Sequence, residues 1–93
     1  MRLLRGWRME GKVAEIDYES VEDEFIEAIH TAVLNDLLWD VSDVSPAFGL
    51  VKIISFDLQY IPPEWATTWG IAGNRTGKLH GGRKDVRLRV EVP

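Results

Sequence analysis

The chain has 93 residues, 45% of them hydrophobic and 28% charged, with a net charge of −4 and no cysteine. That length makes one domain, and the missing cysteines exclude disulfides, thiolate metal sites and a cysteine nucleophile. No apolar run approaches the ~18 residues of a membrane span, and the Arg-punctuated start (Arg2, Arg5, Arg8) lacks a signal-peptide core, so the expectation is a soluble, cytoplasmic protein with no membrane partner.

The opening residues Leu3–Met9 alternate as a strand, with Leu3, Trp7 and Met9 on one face and Arg2 and Arg8 on the other. Glu10-Gly11 offers a tight turn into a second strand, Lys12–Tyr18, with Ala14, Ile16 and Tyr18 inward and Glu15 and Asp17 outward. Residues 21–41 then read as one long helix. Ser20 suits its N-cap, and Asp23 and Glu24 place negative charge at its positive end. Phe25, Ile29, Ala32, Val33 and Leu37 recur at helical spacing, and Leu34, Leu38 and Val41 widen the apolar stripe.

Leu50–Ile61 is the strongest strand signal, with Phe56, Leu58 and Tyr60 alternating against Ser55, Asp57 and Gln59 before Pro62-Pro63 stops it. Its first half, with Leu50, Val51, Ile53 and Ile54, is apolar on both faces and calls for a second layer, for which another subunit is the economical source. Asp85–Val92 closes the chain as a half-buried strand, Val86, Leu88, Val90 and Val92 against Arg87, Arg89 and Glu91. The order β-β-α-β-loop-β predicts an α+β fold: an antiparallel sheet of about four strands with one long helix on one face, assembled as a homo-oligomer.

Charge is segregated along the chain. Residues 13–51 hold ten Asp/Glu and no Lys or Arg, whereas 75–89 carry Arg75, Lys78, Arg83, Lys84, Arg87 and Arg89 against Asp85 alone. Either the two segments face each other, within one chain or between subunits, or the basic one is a surface for phosphates or nucleic acid.

The stretch 62–84 fits neither helix nor strand, and a structureless loop of about 20 residues in a small domain is usually functional or disordered. Trp65 and Trp69 either pack on the sheet end or a partner, or form a stacking platform. Ala72–Lys78 nearly spells a phosphate-binding loop, but Leu79 replaces the Mg²⁺-holding hydroxyl and His80-Gly81-Gly82 does not start a helix. A glycine-rich tip is the better account, its backbone amides beside Arg75 and Lys78 suited to an anionic ligand. The candidate ligand or partner residues are therefore Trp65, Trp69, Arg75, Lys78, His80, Arg83 and Lys84. Glu27 and His30 have the Glu-x-x-His spacing of di-iron bundles, which need more helices than this chain supplies. No metal, cofactor or catalytic residue is expected.

Residues 12–61 also loosely resemble the dodecins, small flavin-storing proteins, in a short first strand, a Ser-x-x-Asp/Glu helix start at Ser20, Trp39 near the helix end and a long final strand. The extra N-terminal strand and the unmatched flavin-stacking positions depart from that pattern. What the resemblance implies is that a chain of this size and order works as an oligomer. The functional expectation is a small non-enzymatic homo-oligomeric assembly or binding module; the alternative is a nucleic-acid-binding protein using the basic Trp/Gly-rich loop and the C-terminal strand.

Overall fold

A computed structural model describes residues 2–63 and 82–93. Its elements are β1 (Leu3–Glu10), β2 (Val13–Glu19), α1 (Asp23–Leu34), β3 (Leu38–Asp40), β4 (Leu50–Ile61) and β5 (Arg83–Glu91). All strand pairs are antiparallel, in one curled sheet of order β1-β2-β5-β4-β3. The α+β class and antiparallel sheet follow the sequence pattern, with five strands in place of about four.

Register explains the core. Ile16 lies opposite Leu88 and Ala14 opposite Val90, and on the far side of β5 these face Phe56 and Ile53. Residues directly opposite share a face, so the alternating apolar set of each central strand falls on the concave side. Ala14, Ile16, Leu88 and Val90 are completely inaccessible to solvent. Helix α1 adds Phe25, Ile29 and Ala32, spaced four and three apart on one stripe. Val41 and Phe48, from the turns between β3 and β4, bury beside them.

The β1–β2 hairpin forms over a two-residue loop, Gly11-Lys12, in which Gly11 takes the positive φ (+63°) that a type II′ turn asks of its first central residue. A register shift between Leu4 and Gly6 corrects the expected face of β1. Leu4 lies opposite Tyr18 and joins Trp7 and Met9 on the concave side, while Leu3 lies opposite Glu19 on the other. A second shift, between Ile53 and Ser55, resolves the doubly apolar start of β4: Val51 and Ile53 are buried, and Leu50 and Ile54 are about half exposed.

The helix is much shorter than the 21–41 span expected. Glu22, not Ser20, occupies the N-cap position, and its side chain makes no capping hydrogen bond. Ser20 instead adopts φ +58° at the corner leaving β2, its N–H donating to an Asp85 carboxylate oxygen at 3.3 Å. At the other end Leu37 N–H donates to Ala32 O at 2.9 Å and Asp36 N–H to Val33 O at 3.4 Å, with Asp36 at φ +54°. This is a Schellman closure with aspartate where glycine is usual. The released residues Leu38–Asp40 then pair with Leu50–Lys52, and this supplies the fifth strand. Two features behind the dodecin resemblance fail here, since Ser20 is not the cap and Trp39 belongs to a strand.

Relieving the left-handed strain at Asp36 while giving up its exposed ion pair with Lys52 (3.3 Å) should leave Asp36→Gly more stable by about 0.5 kcal/mol. Asp36→Val, β-branched at the same φ, should lose about 1–2 kcal/mol. Urea unfolding midpoints check both; a valine variant at least as stable as the glycine variant would contradict the closure described.

Candidate functional site

The convex face of the sheet is a lattice of charge set by the same register. One row across the strands reads Arg8, Glu15, Arg89, Ser55 and the next reads Gly6, Asp17, Arg87, Asp57. Arg8 donates from Nε to Glu15 Oε1 at 2.7 Å, Arg89 Nε lies 3.7 Å from Glu15 Oε2, and Arg87 donates from Nε to Asp17 Oδ1 at 2.6 Å. The hydrogen bond to Asp17, with the charges of Asp17, Glu15 and Asp57, raises the Arg87 pKa above its ordinary value. Where Gly6 leaves its row without a side chain, a shallow concavity of about 510 Å³ opens, in which Arg5, Arg8 and Arg87 are balanced by Asp17, Asp57 and Asp85. Its charges cancel, so it does not select a ligand by net charge.

Of the sequence-derived candidates, Trp65, Trp69, Arg75, Lys78 and His80 lie outside the described residues. Arg83 and Lys84 lie in β5 and both are engaged within the chain. Arg83 Nε donates to Asp85 Oδ1 at 3.0 Å, with Glu19 at 3.8 Å, and the Asp85 hydrogen bond raises its pKa. Lys84 Nζ donates to Asp23 Oδ1 at 2.7 Å, tying β5 to the first turn of α1. Acidic and basic segments therefore meet across β2 and β5 of one chain, the first of the two explanations for the charge segregation. Beside them, Gly82 packs under the Tyr60 ring: a Cβ there would sit 2.6 Å from Tyr60 Cζ, so a larger residue displaces that half-exposed ring. His30 meets the Phe56 ring edge-on, with centroids 6.1 Å apart, and no group of three His, Cys, Asp or Glu among the described residues is placed to hold a metal ion.

Two features escape a reading of the sequence alone. The first is the outer edge of β1, with which no other described strand pairs. Leu4, Trp7 and Met9 share the concave side at 42–44% exposure, and Trp7 meets Phe48 edge-on with centroids 4.8 Å apart. The apolar pattern of β1 was visible, but its position at the sheet edge follows only from the pairing order. The second is a pocket of about 570 Å³ between the start of α1, the end of β2 and the Trp39–Asp43 segment. Tyr18, Phe25 and Trp39 form its aromatic wall, with Phe25 edge-on to both neighbours at 5.2 and 5.7 Å. The Arg2 guanidinium carbon stands 4.2 Å from the Phe25 ring centre and 5.8 Å from that of Tyr18. No sequence signal joins Trp39 to Phe25, because both read as positions on one continuous helix.

The chain matches no family model, no curated protein and no solved structure. Among the described residues no helix is long and apolar enough to cross a membrane.

Burial first, then the negative charge of Asp43, pushes the Tyr18 phenol from 10.0 up to about 12, with Arg2 opposing. The folded protein thus holds this proton more tightly than the unfolded chain. Its contribution to stability is complete below the unfolded pKa and is lost as pH climbs from 10.0 toward about 12. Urea midpoints across that window should fall more steeply for the wild type than for Tyr18→Phe; parallel curves would show that Tyr18 is not the group responsible.

Proposed function

We propose that this protein is a non-enzymatic assembly module that works as a homo-oligomer, joined by pairing of the β1 edges of two subunits. The observation that carries this reading is the character of that edge. Sheets normally guard their edges with short strands, proline or outward charge. On the opposite side β3 is three residues long and pairs only with Leu50–Lys52 of β4, whereas β1 has eight residues, one register shift and no proline. Its two arginines lean back onto its own sheet, Arg8 toward Glu15 and Arg5 toward Glu19. Among the described residues no strand pairs with the outer side of β1, which is flanked by half-exposed Leu4, Trp7 and Met9.

A second copy is the occupant that suits this edge. An antiparallel two-fold pairing centred on Trp7 sets Arg8 opposite Gly6 of the partner subunit and keeps arginines from facing one another, an arrangement that avoids like-charge repulsion. The side-chain-free Gly6 leaves room for that arginine. The nucleic-acid alternative draws less support, because Arg83, Lys84, Arg87 and Arg89 each face a carboxylate of their own chain.

Native mass spectrometry with analytical ultracentrifugation across a concentration series tests the proposal. The wild type is expected to give an even-numbered closed oligomer. Leu4→Lys and Met9→Lys, which place an ammonium on the apolar flank of the edge, are expected to give monomers with unchanged circular dichroism. A wild type that stays monomeric up to millimolar concentration would refute the proposal, and so would oligomers indifferent to both substitutions.

A further inference from the structure

The pocket beside Arg2 has features that the edge of β1 does not explain. Its aromatic wall is three rings deep, and its rim carries Glu22, Glu24, Asp40 and Asp43. Among the described residues a single lining cation, Arg2, stands against these four carboxylates, 3.7 Å from Glu22. Neither Glu24 nor Asp43 has a cation within ion-pair distance among the described residues. Asp40 is committed locally: its Oδ1 accepts the Ser42 N–H at 2.9 Å, and this holds its carboxyl below the usual range. The N-terminus of α1 also ends here and contributes roughly half a positive charge, far less than the carboxylates supply. The field inside the pocket is therefore negative.

Aromatic faces combined with surplus negative charge select one chemistry. A cation within about 6 Å of a ring centre is attracted by the ring's quadrupole, and weakly hydrated organic cations lose least on leaving water. Arg2 shows the geometry at work, since its guanidinium already lies over Phe25 and near Tyr18. Arg2 is an exposed residue, and its one ion pair among the described residues is long. Such a contact is readily exchanged for an equivalent one. The pocket is an open depression of about 570 Å³.

We propose that this pocket is a binding site for a small organic cation bearing a guanidinium or alkylammonium head, and that Arg2 is its internal placeholder. The incoming head group displaces Arg2 from Phe25, takes Trp39 as a further aromatic contact and gains the unpaired carboxylates of Glu24 and Asp43. Arg2 then swings into solvent.

Agmatine is a suitable probe, titrated into the full-length protein at constant ionic strength while the Trp39 indole resonance is followed by two-dimensional NMR. The wild type is expected to bind in fast exchange. Arg2→Ala is expected to bind about fivefold more tightly, because the competing internal cation is gone. Asp43→Asn in the Arg2→Ala background should bind several-fold more weakly. Both substituted side chains, Arg2 and Asp43, lie at the rim, so the variants keep the core intact. Equal affinity for wild type and Arg2→Ala would overturn the placeholder role. A Trp39 response absent in both proteins, or reproduced by sodium chloride alone, would overturn the site itself.

Discussion

The pairing of β2 with β5 is the constraint on which the rest of the molecule depends. It sets Ile16 against Leu88 and Ala14 against Val90 on the concave side, and in the same stroke Asp17 against Arg87 and Glu15 against Arg89 on the convex side. A strand alternates faces with a period of two, so a slip by one residue would expose the apolar set and bury the charges. Each face thus penalises the slip independently. The apolar side supplies most of the free energy, because exposed ion pairs typically contribute at most about 1 kcal/mol each. The charges give specificity: a carboxylate strand beside an arginine strand tolerates few other neighbours.

The ends of the molecule inherit their geometry from that centre. Lys84 and Asp85, in β5, reach over to Asp23 and to the Ser20 amide, so the chain leaving β2 is turned back under the sheet to start α1. Helix α1 is then held against the concave face through Phe25, Ile29 and Ala32. Its N-terminal turn forms one wall of the aromatic pocket. The outer edge of β1 and the pocket near Arg2 are consequently two products of one hairpin placement, one along its outer margin and one at its open end.

Much of this was legible in the residues. Strict alternation in β2, in the second half of β4 and in β5 gave face and boundaries to within two residues, because a half-buried strand leaves a period-two record. The acidic and basic stretches likewise announced a pairing, though not which strands would carry it. The failures were local and physical. Leu34, Leu37 and Leu38 continue the helical apolar spacing, yet the chain leaves the helix at Asp36 through a left-handed residue that aspartate rarely supplies. Ser20 has the right chemistry for a cap but is spent on a corner. The bulge at β1 moved Leu4 to the side expected for Leu3, and no pattern of eight residues reveals a one-residue shift. Of the candidate site, Arg83 and Lys84, read as the end of the loop, belong to β5 and are engaged in structural ion pairs. The aromatic pocket was invisible, since it needs Trp39 on a strand instead of a helix.

The separation along the chain between the two central strands has a further consequence. Asp17 and Arg87 are 70 positions apart, and every residue pair of the β2–β5 ladder is comparably remote. During synthesis the first hairpin leaves the ribosome long before β5 exists, with Ile16 and Tyr18 uncovered. Loop-closure entropy must be met before the ladder rewards it, which slows folding in chains dominated by remote contacts. Until then the nascent hairpin is a sticky, half-finished sheet. Residues 2–19 carry eight acidic or basic side chains, and charge of this kind opposes association of such an intermediate.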